Sequence, residues 1–222
     1  PVLAGIATLC LIGLVVIIPA SQAAKHEAQR TGGADLRTLF HTGAAIAALV
    51  LVFMISISSE AINIVYGTWM AGSFGLQVTA LGSTAIVIGI AEIVGEGLMG
   101  WLSDRLGKKL SLTLALSLYA VACLILPMFG FSLGAALVGV FIFYVGFEYT
   151  IVSTIPLNTE LVPAARATFM GMVSASISIG RMLGTLLGPF LYDTFGIWGN
   201  GLVAAVLNVI ALVVLLAFIR RD

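Results

Sequence analysis

The chain has 222 residues, of which 60% are hydrophobic and 9% charged, with a formal net charge of zero and a mean hydropathy of +1.16. That composition excludes a soluble globular domain and leaves an integral membrane protein surrounded by lipid. With no net positive charge and no long basic run, nucleic acid is excluded as a partner, and Cys10 and Cys123, the only cysteines, sit in apolar runs where a thiol simply packs, so neither a metal site nor a cofactor is expected.

A helix needs roughly 18 or more mainly apolar residues to cross about 30 Å of hydrocarbon. Seven runs qualify: Leu3 to Ala20, His41 to Trp69, Val78 to Leu102, Leu110 to Pro127, Leu133 to Leu157, Ala167 to Leu191, and Leu202 to Ile219. They are continuous rather than alternating, which predicts helices and not barrel strands. The expected fold class is an all-α, polytopic transmembrane helix bundle of seven spans. Pro1 opens the chain without a methionine, a basic n-region or a cleavage site, so the first run is not a signal peptide and the chain reads as cut from something longer.

Between the first two spans, Ser21 to Phe40 carries Gln22, Lys25, His26, Glu27, Gln29, Arg30, Gly32, Gly33 and Asp35. This polar linker reads as a boundary between residues 1–20, one transmembrane helix, and residues 41–222, a six-helix bundle. Lys25, Arg30, Arg37, Arg105, Lys108, Lys109, Arg166, Arg220 and Arg221 fall on one face if the spans alternate in direction, while the links on the other face hold no Lys or Arg. The positive-inside rule makes the basic face cytoplasmic and puts the C-terminus inside.

Gly100-Trp101-Leu102-Ser103-Asp104-Arg105-Leu106-Gly107-Lys108-Lys109 interrupts the apolar sequence with charges and two glycines. As physics, it predicts a tight turn at the membrane surface: Gly100 for close helix approach, Asp104 near a following helix N-terminus, Gly107 for a sharp reversal, Lys108 and Lys109 in the headgroups. As a pattern, it resembles the signature loop of the major facilitator superfamily of secondary transporters, G-x-L-a-D-r-x-G-r-k-x-x-l, with Ser103 for the small residue and Lys108 for the usual arginine. Two further stretches are similar to the family: Glu160 to Gly171 to its cytoplasmic loop ten to eleven, and Gly188 to Asp193 to the exit of helix eleven. The resemblance implies that the chain is helix six, the central linker and the C-terminal six-helix half of a twelve-helix transporter of the cytoplasmic membrane. Helices one to five, the N-terminal half, would then be its partner.

Charged groups inside a span are costly unless paired or wetted, so each is a candidate functional residue. In the second span Ser56, Glu60, Asn63 and Gly67 form one stripe on what reads as the outer half of the helix. Glu92, Glu96 and Gly100 make a stripe leading into the signature loop, for which the resemblance implies a gating or interdomain role. The fourth and seventh spans carry no charge, and only Asn208 interrupts the last one; they read as lipid-facing scaffold. The sixth span spaces Gly180, Gly184 and Gly188 four apart, which allows close helix packing, beside a polar stripe of Ser174, Ser178, Arg181 and Thr185. Gly171, Gly180 and Gly184 also match the glycine motif of drug antiporters, although Gly188-Pro189 arrives a turn late.

Glu60, Asn63, Glu148 and Arg181 are therefore the expected substrate or proton residues. Gly100, Asp104, Arg105, Gly107, Lys108, Lys109, Glu92, Glu96, Glu160 and Arg166 are the expected gating set. Counted from the cytoplasmic ends of their spans at about 1.5 Å per residue, Glu148 and Arg181 lie at nearly one depth and are expected to pair; Glu160 is expected to pair with Arg105 or Arg166. The implied activity is alternating-access transport of a small organic solute, coupled to protons, with efflux favoured. A complete seven-span receptor or a self-assembling half-transporter are the alternatives. A retinal protein would need a lysine within a span, and none has one. An enzyme is not expected, because neither H-E-x-x-H nor G-x-S-x-G occurs.

Overall fold

The computed structural model describes residues 43–218, apart from the side chains of Val78, Thr79, Asp104 and Ala164. The expected first span, the linker and the closing Arg220 and Arg221 lie outside the described residues. Five helices form the bundle: α1 (Gly43–Phe74), α2 (Val78–Leu106), α3 (Lys108–Ile125), α4 (Leu133–Leu161) and α5 (Arg166–Phe218), with 3-10 turns at Leu126–Phe129 and Pro163–Ala165. All five are long and apolar enough to cross a membrane.

The expected sixth and seventh spans are joined in α5, whose 53 residues would extend about 80 Å if straight. Gly196, at φ 64° and ψ −165°, breaks the helix. The Asn200 amide donates both to Gly188 O at 2.9 Å and to Ala61 O at 2.6 Å, whereas a continuous helix would hold residues 188 and 200 about 18 Å apart. The chain therefore doubles back at Gly196 into two arms, α5a (166–195) and α5b (197–218). The loop expected over Tyr192 to Gly201 shrinks to one glycine, because its other residues continue the helical hydrogen bonding and Asn200 ties the returning arm to both α5a and α1.

The expected signature turn shrinks in the same way. α2 continues to Leu106 and α3 starts at Lys108, so the reversal rests on Gly107 alone, at φ 78° and ψ 155°. The close approach expected at Gly100 is not found among the described residues: nothing lies within 4 Å of where its Cβ would be.

Glycines elsewhere set the helix spacing. A Cβ added at Gly180, Gly184 or Gly188 would lie 2.7, 2.8 or 2.7 Å from the carbonyl oxygens of Phe53, Ile57 and Ala61. Both series advance by four, so α1 and α5a run parallel with their backbones in contact, as small residues allow where lipid supplies no hydrophobic drive. Gly95 brings α2 onto α4 in the same manner, its missing Cβ lying 2.7 Å from Glu148 Cβ and 2.9 Å from Val145 O.

Behind this seam, Asn208 of α5b is fully buried. Its amide donates to Ser58 Oγ at 2.7 Å and to Ala204 O at 2.9 Å. Ser58 Oγ in turn lies 3.5 Å from the hydroxyl of Tyr119 on α3, so one polar node pins three helices. The outward faces of α3 and α5b expose Leu118, Val121, Val206, Val209 and Val213, as scaffold helices against lipid should.

Candidate functional site

Four helices wall a cavity of about 250 Å³, lined by Ser59, Glu60 and Asn63 of α1, Ile88 and Glu92 of α2, Phe143, Tyr144, Phe147 and Glu148 of α4, and Arg181 of α5a. Neither α3 nor α5b contributes to it. The seam glycines are what bring the charged residues there: Gly184 lets Glu60 lie against α5a, and Gly95 lets α2 carry Glu92 alongside Glu148.

Arg181 Nε donates to Glu60 Oε2 at 2.9 Å. The expected partner was Glu148, and the structure corrects this. α1 runs on to Phe74, so Glu60 stands near the middle of a 32-residue helix rather than in its outer part. Glu148 lies across the same cavity and makes no ion pair among the described residues. The Glu60 side chain is 12% exposed and that of Arg181 59%, so the carboxylate is held at the wall while the guanidinium reaches in from the cavity side. Tyr144 donates to Asn63 Oδ1 at 2.6 Å, which fixes the Asn63 amide and ties α4 to α1.

The aromatic wall is itself braced. Phe143 packs edge-on against Tyr144 at 5.1 Å between centroids, and the fully buried Tyr119 supports Phe143 at 5.5 Å and Phe147 at 5.9 Å. Among the described residues, no three of His, Cys, Asp and Glu are grouped to hold a metal ion.

Glu60, Asn63, Glu148 and Arg181 thus share one cavity, and Glu92 joins them. Glu96, a turn beyond Glu92, is exposed and outside it. The rest of the expected gating residues, from Gly100 to Lys109 with Glu160 and Arg166, lie at helix ends joined by the Gly107 turn and the 3-10 turn at Pro163–Ala165. Lys108 at the start of α3 forms an ion pair with Glu160 at the end of α4, in place of the expected Arg105 or Arg166. Arg105 instead lies over the ring of Trp101, 4.4 Å from its centroid, and Arg166 opens α5 exposed. The side chain of Asp104 lies outside the described residues. Sequence reading missed the uncharged lining. Two four-residue steps, Ile88 to Glu92 and Tyr144 to Glu148, were the available signal, since such steps keep one helix face.

The sequence profile of the Major Facilitator Superfamily matches residues 2–157 and, in a second register, 48–222. An uncharacterised MFS-type transporter, YceJ, of Bacillus subtilis is 23% identical over 195 residues, 87% of this chain and 49% of the relative. An uncharacterised transporter of Buchnera aphidicola is 26% identical over 151 residues, 66% of this chain and 36% of the relative. Human solute carrier family 67 member A1 is 24% identical over 151 residues, 65% and 35% respectively. The chain therefore spans about half the length, or less, of the curated relatives it matches. With matches covering most of its residues, the chain belongs to the Major Facilitator Superfamily, a family of membrane transporters rather than enzymes.

Proposed function

We propose that the intact protein is a secondary active transporter that moves a small organic solute by alternating access, coupled to protons, with this chain forming the last helix of one half and the whole of the other. The observation that carries the reading is the midhelix cavity in which Glu60, Asn63, Glu148 and Arg181 meet from three helices. Ionisable groups are retained within a membrane where they handle a solute or a proton, and facilitator-type sites lie between rocking halves near the midplane. Glu148, which has no ion pair among the described residues, is the proton-handling residue. The Lys108 and Glu160 bridge and the Gly107 turn belong to the end that opens and closes, and Asp104→Asn is expected to slow turnover while sparing affinity. That end carries Arg105, Lys108, Lys109 and Arg166, which supports a cytoplasmic orientation in the cell membrane. Export is the favoured direction, on the glycines shared with drug antiporters.

The test needs no substrate. Ile88→Cys lines the cavity without removing a charge, and the native Cys123 is fully buried. In the intact protein in vesicles, an impermeant thiol reagent is expected to label position 88 from one side at a time, switching sides when the pH gradient is reversed. Labelling that ignores the gradient, or none from either side, would refute the reading.

A further inference from the structure

We infer that the solute is an organic cation, held by Glu92 and Glu148 against the aromatic wall of Tyr144 and Phe147. The inference rests on the cavity being the transport site and adds the chemistry of what enters it. Three carboxylates and one guanidinium line the space, and Arg181 Nε is bonded to Glu60, so a single positive charge stands against three carboxylates. Among the described residues Glu92 and Glu148 have no basic partner of their own, inside a segment where lone carboxylates are costly.

Three features of the cavity decide what kind of counter-charge fits. Among the described residues the carboxylates are not grouped as metal ligands, which favours a diffuse cation over a small chelated one. Two α4 rings, Tyr144 and Phe147, line the cavity together with Glu148, and aromatic rings beside a carboxylate attract a diffuse ammonium or pyridinium through their quadrupoles. These rings are braced from behind by Phe143 and Tyr119, so the wall is set before the ligand arrives, and little order must be gained on binding. An anionic solute would have one guanidinium to bind it and three carboxylates to face. A neutral solute would leave both carboxylates desolvated and unpaired.

The test uses three probes on one benzene ring, titrated calorimetrically into the purified intact protein: phenyltrimethylammonium, benzyl alcohol and benzenesulfonate. The ammonium is expected to bind at least tenfold more tightly than either of the others. Glu148→Gln and Glu92→Gln should each weaken it tenfold or more, and Phe147→Leu severalfold. Glu92 lies on α2, whose span is only 11% buried, so Glu92→Gln carries the test even if Glu148→Gln folds poorly. Equal or tighter binding of the alcohol or the sulfonate, ammonium binding that both carboxamide variants leave unchanged, or no ammonium binding would each overturn the inference. None of these outcomes depends on the Ile88→Cys labelling, which alone decides the transport reading.

Discussion

Gly184 and Glu60 are a fitted pair: a Cβ on Gly184 would sit 2.7 Å from Glu60 Cβ and 2.8 Å from Ile57 O. The missing side chain on α5a is what allows Glu60 to stand beside Arg181, one turn earlier on the same helix. Gly184→Ala must push backbone away from backbone, and overpacking of this kind costs about 1–3 kcal/mol. Gly171→Ala, where an added Cβ meets nothing within 4 Å, should leave stability unchanged or raise it by up to about 1 kcal/mol through helix propensity. Thermal unfolding of the two variants in one detergent checks the contrast. Equal melting temperatures would contradict the packing described.

The Glu60 and Arg181 contact should register as coupling rather than as two independent contributions. Glu60→Gln and Arg181→Gln each strand one partner at the cavity wall, and the double variant strands neither. Residues in direct contact typically couple by about 0.5–3 kcal/mol, and the large exposure of Arg181 puts the expected value at the lower end. A double-mutant cycle on unfolding measures it; additive effects within error would remove the pair from the account.

Asn208→Leu should destabilise the bundle by about 0.6–2 kcal/mol, the range for hydrogen bonds between membrane helices, since it strands Ser58 and opens the node shared with Tyr119. Because Tyr119 also braces the aromatic wall, the variant should lower ligand affinity as well as the melting temperature. A change in stability with affinity untouched would separate the node from the cavity.

Gly107→Ala should cost about 1–3 kcal/mol, because φ 78° with ψ 155° is a conformation that residues with a Cβ rarely adopt. The strain falls on a one-residue link between α2 and α3. Protease sensitivity near residue 107, read on intact and substituted protein, should rise in the variant.

How much was legible in the sequence follows from which signals are local. Apolar run length located every described helix to within a few residues, and the four-residue spacing of Gly180, Gly184 and Gly188 announced a close helix contact. What spacing could not supply was the partner. Depth along a helix was counted from span ends chosen by hydropathy, and α1 extends five residues beyond Trp69. That offset moved Glu60 to the level of Arg181 and left Glu148 across the cavity. The same limit explains Lys108 with Glu160: both were known to lie at one end, but which of several basic residues bridges there depends on helix rotation. The reversal between the sixth and seventh spans was expected, but its shortness was not: a polar stretch reads as a loop, because a buried amide such as Asn200 looks no different in sequence from an exposed one.

The central claim is that the cavity couples proton movement to solute movement through Glu148. In the intact transporter reconstituted into vesicles, Glu148→Gln should abolish accumulation driven by a pH gradient at every solute concentration, while downhill exchange of the same solute persists once its concentration is raised to offset the weaker binding. Accumulation retained in a well-folded Glu148→Gln protein would contradict it.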